Sequence, residues 1–181
     1  MSKFNKVIAA LALVAGTSAF AGVAATVSVQ PGLTYGNGAQ ADVGSVVLAV
    51  DKGPFTVDGK LQVGKARSGG AVATDVQGRI TYTLGGLYGR AGVGTTAVSN
   101  KPNEDYWVFG GDVNVPVVWG LVGNAECERT KAMSGANPTF DTYKVGASYA
   151  LTVKDTVGTH WVVQDGDIES HSIQASYTRK F

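Results

Sequence analysis

Residues 143–153 read Tyr-Lys-Val-Gly-Ala-Ser-Tyr-Ala-Leu-Thr-Val, and this stretch decides the fold. Tyr143, Val145, Ala147, Tyr149, Leu151 and Val153 take every second place, with Lys144, Gly146, Ser148, Ala150 and Thr152 between them. A strand turns successive side chains to opposite faces, so the segment has one apolar and one polar face. The period returns at 55–63, where Phe55, Val57, Leu61 and Val63 alternate with Thr56, Asp58, Lys60 and Gln62. It returns again around Ile80: Val72, Val76, Ile80, Tyr82 and Leu84 alternate with Ala73, Asp75, Gln77, Arg79, Thr81 and Thr83. Beyond the first 21 residues no segment shows a comparable helical period.

Turn signals cut the chain unequally. Tight connections fall at Asp51-Lys52-Gly53-Pro54, Gly85-Gly86, Trp119-Gly120 and Lys154-Asp155. Longer polar connections lie between them: Gly36–Asp42, Gly64–Gly70, Ser99–Asp105, Thr130–Thr139, and a short one at Asp165-Gly166-Asp167. Short turns alternating with long loops are the habit of a membrane barrel, turns on the periplasmic side and loops outside. The expectation is an all-β, antiparallel, up-and-down transmembrane barrel. Its ten strands fall near 23–35, 43–50, 55–64, 71–84, 87–98, 105–118, 121–130, 140–153, 156–164 and 169–181. Eight strands is the alternative, if 43–50 or 156–164 is not a full span.

Composition agrees. Only 16% of the 181 residues are charged, 25 are Gly, and mean hydropathy is +0.07. A soluble domain carries more charge and a helical membrane protein is far more apolar. The most apolar later stretch, Val113–Gly123, holds Asn114, Pro116, Gly120 and Gly123, and is too short to be a membrane helix. A net charge of +1 gives no reason to expect a nucleic-acid partner. Cys127 is the only cysteine, so neither an internal disulfide nor a cysteine-based metal site is expected. No cofactor is expected either.

The N-terminus reads as a targeting segment. Lys3 and Lys6 precede the apolar run Val7–Ala15, and Ala19-Phe20-Ala21 has the small-x-small cleavage pattern. Residues 1–21 are therefore expected to be a signal peptide, leaving 22–181 as the barrel, with no cysteine after the cleavage site to accept a lipid.

Aromatic residues fall into two groups. Tyr35, Trp107, Phe109, Phe140, Tyr143 and Trp161 sit near the loop ends of their strands; Phe55, Tyr82, Trp119, Tyr149 and Phe181 sit near the turn ends. Two groups separated by aliphatic strand centres suit the interfacial girdles of a barrel. A soluble barrel with its apolar face inward is the rival, since alternation alone does not say which face is inside.

The chain ends Ile173, Ala175, Tyr177, Arg179, Phe181 at alternate places, with Ser172, Gln174, Ser176, Thr178 and Lys180 between. This resembles the C-terminal signature of bacterial outer-membrane proteins, in which alternate positions counted back from a terminal Phe are hydrophobic. Arg179 departs from the pattern; Ile173, Ala175, Tyr177 and Phe181 keep it. The chain is similar to small porin-like and OmpA-like barrels, without a closer subfamily. The resemblance implies residence in the outer membrane, contact with its lipid and lipopolysaccharide, and handling by the barrel-assembly machinery.

The polar strand face holds the charges Asp58, Lys60, Asp75, Arg79, Arg90, Asp112, Glu126, Glu128 and Lys144, beside small residues such as Gly92, Gly110, Gly146 and Ser148. Buried charge demands partners, so one reading is a barrel filled by ion pairs. The other is a narrow passive pore for ions or very small solutes, its selectivity set by the same charges. The pore is the leading expectation. The alternative is a non-conducting barrel that displays its loops for binding, with Lys131, Met133, Asn137 and Pro138 in one loop and Lys101, Glu104 and Asp105 in another. Catalysis is the remote option. The only histidines, His160 and His171, lie near Asp165, Asp167, Glu169, Ser170 and Ser172, but alternation sends them to opposite faces. No catalytic residue is assigned.

Overall fold

Each short turn pairs the strands on either side of it, and ten such strands close on themselves. The computed structural model describes residues 23–69, 72–85, 87–99, 103–133 and 139–181. The strands are β1 (Val23–Tyr35), β2 (Gln40–Lys52), β3 (Phe55–Ala66), β4 (Val72–Leu84), β5 (Leu87–Val98), β6 (Glu104–Val118), β7 (Leu121–Ala132), β8 (Phe140–Ala150), β9 (Asp155–Gly166) and β10 (Ser170–Lys180). Every strand pairs antiparallel with its chain neighbours, and β1 pairs with β10, so the sheet has no edge. The eight-strand alternative falls, because β2 is a full 13-residue strand and β9 a full 12-residue one. The expected signal peptide lies outside the described residues.

The strands tilt against the barrel axis. A row of paired residues leaves Thr26 through Val47, Lys60, Gln77, Gly94 and Tyr106 and ends at Ala132, the loop end of β7. In the other direction it passes Thr178 and Thr156 to Ala150, the turn end of β8. A ladder that returns displaced along the strands is the stagger that closure requires.

The apolar face is the outer one. Ile80, Val145 and Ile173 are 56%, 61% and 65% exposed, while Asp58, Arg79 and Glu128 are buried. A soluble barrel with its apolar face inward is thereby excluded.

Two local departures have physical causes. Strand β8 stops at Ala150 rather than 153, because the Thr152 hydroxyl accepts the N–H groups of Lys154 and Asp155 at 3.1 and 2.9 Å and folds 151–154 into a turn. In β1 the register slips between Gln30 and Leu33. Pro31 brings no N–H to the ladder, and Gly32 takes a φ of 66° with its N–H donated to Asp42 Oδ1 at 2.9 Å. The slip reverses which side chains face inward beyond it.

Candidate functional site: the barrel interior

Alternation places all nine charges named above on the inner wall or among its buried residues, and seven of them join in one lattice. Arg79 Nη2 lies 2.6 Å from Asp58 Oδ1, and Arg79 Nη1 reaches Glu128 at 3.8 Å. Arg90 contacts Asp112, Glu126 and Glu128 at 3.0, 3.3 and 3.4 Å. Lys144 Nζ completes it, 2.7 Å from Glu126. The contacts run from β3 to β8, and the arginines of β4 and β5 reach across to β7. Three cations thus meet four carboxylates in a poorly hydrated space, where each side chain relies on the others for the partners that water would supply.

The other two charges stand apart. Asp75 accepts the Tyr106 hydroxyl, the Thr96 hydroxyl at 3.0 Å and the Gln77 amide at 2.9 Å. Lys60 makes no ion pair among the described residues and faces the open part of the lumen.

Inward glycines make the room. Gly92 stands opposite Arg79 in the ladder, Gly94 opposite Tyr106, Gly110 opposite Glu128, and Gly146 opposite His160. A Cβ on Gly92 would lie 2.8 Å from Arg79 Cγ, and one on Gly110 would lie 2.9 Å from Glu128 Cα. Each large polar side chain therefore lies down across the bare backbone of the next strand. Gly110→Val is expected to push Glu128 off both arginines and cost about 1–3 kcal/mol through overpacking, read as a lower urea midpoint for the refolded barrel. Val at Gly78, which faces outward with open space, should have little effect.

Above and beside the lattice lies a cavity of about 540 Å³. Tyr35, Glu104, Ala132, Phe140 and Ile168, all at the loop ends of the wall, line its mouth. Lys60, Arg79, Arg90, Glu126, Glu128, Lys144 and His160 lie toward the turn side. Ser, Thr and Gln side chains such as Ser28, Ser45, Gln62, Thr142 and Gln174 line the wall between. The interior is a vestibule with an ion-paired wall on its β3–β8 side, and on the other side it continues past the charges to Thr26, Val47 and Ser176.

Two aromatic assignments need correction. Tyr35 does not belong to an outer girdle: the β1 register slip turns it into the mouth of the vestibule. Phe140 also lines the mouth, because it shares the inward face of β8 with Thr142 and Lys144. Phe55, Tyr82, Trp107, Phe109, Trp119, Tyr143, Tyr149 and Trp161 are exposed on the outer surface. Ile173, Ala175 and Tyr177 face outward on β10, and the N–H of Phe181 is donated to the Val23 carbonyl at 2.9 Å. The out-of-pattern Arg179 stands opposite Asp155, 3.9 Å away, and the Tyr177 hydroxyl donates to the same carboxylate at 2.6 Å.

His160 faces the lumen and His171 the outside, so no pair of them forms around a serine. Cys127 is exposed on the outer face, and no group of three metal-ligating side chains exists among the described residues. Two further ion pairs had no signal in the alternation: Arg129–Asp141 on the outer face at 2.7 Å, and Arg67–Asp42 at 2.6 Å beside the β1 bulge.

No protein-family model matches the chain, and no curated protein sequence matches it. Solved structures do. The translocator domain of the autotransporter NalP from Neisseria meningitidis superposes with a TM-score of 0.53 at 11% identity, covering 98% of this chain and 95% of that one. The fold is that of a bacterial outer-membrane β-barrel. Looser likenesses include the KdgM porin in complex with disordered oligogalacturonate, with a TM-score of 0.49 at 12% identity over 88% of this chain and 98% of that one. Neisserial surface protein A gives 0.45 at 10% identity over 88% and 96%. At these identities the barrel's likeness extends to its fold and not to its activity.

Proposed function

We propose that this protein resides in the outer membrane as a barrel closed at rest, offering an outward vestibule rather than an open pore. What carries the reading is the lattice: Arg79 and Arg90 reach over the neighbouring strands to Glu128, so the inward charges of β3 to β8 are spent on one another and crowd that side of the lumen. Ten strands also lie near the size at which side chains fill a barrel. The signal-peptide pattern, the C-terminal strand and the apolar outer face support export, assembly by the barrel machinery, and contact with lipid and lipopolysaccharide. The role left to the chain is then a binding or structural one on the cell surface, through the vestibule mouth and loops. A narrow passive pore is the second reading, favoured by the cavity and by Lys60, a cation that faces it without an ion-pair partner among the described residues. Liposome swelling separates them. Vesicles holding refolded residues 22–181 should swell in a small sugar no faster than empty vesicles; swelling several-fold faster returns the pore reading.

A further inference from the structure

Gln77 is 7% exposed and lines the cavity from β4. Its amide nitrogen donates to Asp75 Oδ2 at 2.9 Å. A carboxylate oxygen only accepts, so that bond fixes which end of the amide is which. The other end, Gln77 Oε1, is buried with no hydrogen-bond partner among the described residues. A buried acceptor without a donor is costly, and one in a cavity wall calls for a donor from the cavity.

Lys60 stands opposite Gln77 in the β3–β4 ladder and faces the same open space. Carboxylates outnumber cations by one among the nine inward charges, yet each carboxylate is engaged. Asp58, Asp112, Glu126 and Glu128 take the lattice cations, and Asp75 takes three neutral donors. Lys60 is the cation the lattice leaves over. One ammonium matches a monoanion; a phosphate ester, with about two negative charges, would call for a cluster of cations. Ladder partners are near neighbours, so a ligand that satisfies both side chains carries a carboxylate with a hydroxyl close to it.

The rest of the cavity suits further hydroxyls. Strands β1, β2 and β10 contribute no charged side chain to its lining and offer Thr26, Ser28, Ser45, Gln174 and Ser176. His160 Nδ1, on β9, is a second buried atom without a partner among the described residues. The volume of about 540 Å³ falls within the roughly 300–1,000 Å³ of small-molecule sites.

We propose that the vestibule binds a small hydroxylated carboxylate, such as a sugar acid, with its carboxylate on Lys60 Nζ and a hydroxyl donated to Gln77 Oε1. The assignment rests on the vestibule reading above and names its ligand class.

Isothermal titration calorimetry of the refolded barrel in detergent micelles tests it with gluconate, an open-chain hydroxy acid, and quinate, a cyclic one. At least one should bind saturably. Sorbitol has the hydroxyls without the carboxylate, and propionate the carboxylate alone. Each should bind about tenfold or more weaker, the consequence of losing a charge-assisted or buried hydrogen bond. Lys60→Met should weaken the bound acid by a similar factor, with heat-modifiable migration confirming that the variant is folded. Lys154→Met, the same loss of charge at the β8–β9 turn, should leave binding unchanged. No binding of either acid by the folded parent overturns the proposal, as does binding that Lys60→Met leaves intact or that sorbitol or propionate matches. Liposome swelling on the same preparation keeps the two readings apart. Fast swelling with Lys60-dependent binding would reject the closed barrel and keep the ligand assignment; closed vesicles without binding would reject the ligand assignment alone.

Discussion

Arg90→Ala is expected to lower the unfolding free energy of the refolded barrel by roughly 3–5 kcal/mol, the cost of removing one partner from a buried ion pair. Arg90 is the node of the lattice. Among the described residues it is the only cation within 4 Å of Asp112, it shares Glu126 with Lys144, and it shares Glu128 with Arg79. Its loss leaves four carboxylates facing two cations in a space where those side chains are less than a quarter exposed. Arg90→Ala with Asp112→Ala should recover a good part of the loss, since the double change removes the carboxylate that has no other cation. Urea titration of tryptophan fluorescence measures both. A single variant as stable as the parent would mean that water, not Arg90, satisfies the carboxylates.

Val145→Arg carries the second large effect. Val145 stands midway along β8, 61% exposed on the outer face, with Trp161 and Ala125 as ladder neighbours. A guanidinium near the middle of the bilayer costs about 2–4 kcal/mol, and near its boundaries little. The same Arg at position 131, where Lys131 stands at the loop end of β7, should cost almost nothing. The comparison is of folded fractions in lipid vesicles by heat-modifiable migration. Equal tolerance at 145 and 131 would contradict the placement of the bilayer.

The ladder was legible because turns and alternation speak for the same register. Gly85-Gly86 reads as a turn signal, and counting outward from Leu84 and Leu87 puts Gly92 opposite Arg79 and Gly94 opposite Gln77, as the structure has them. The pairing of inward glycines with large polar side chains is therefore set by each turn together with the alternation. Tyr35 was out of reach by alternation, because Pro31-Gly32 inserts a bulge that reverses the faces beyond it. Phe140 was within reach, since its parity matches that of the inward Lys144 whatever its height along the strand. The lattice itself was not legible. Which carboxylate Arg90 chooses depends on where three strands place their side chains across the lumen, and period two says only that all of them point inward.

The barrel is proposed to be closed at rest by paired charges that crowd its lumen, and single-channel conductance in a planar bilayer tests this most directly. The refolded parent is compared with Arg90→Ser/Glu128→Ser, which keeps the net charge and shortens two side chains that meet over Gly110 inside the lumen. The account predicts no current steps from the parent and discrete steps from the double variant. Steps of the same size from the parent and the variant would contradict it.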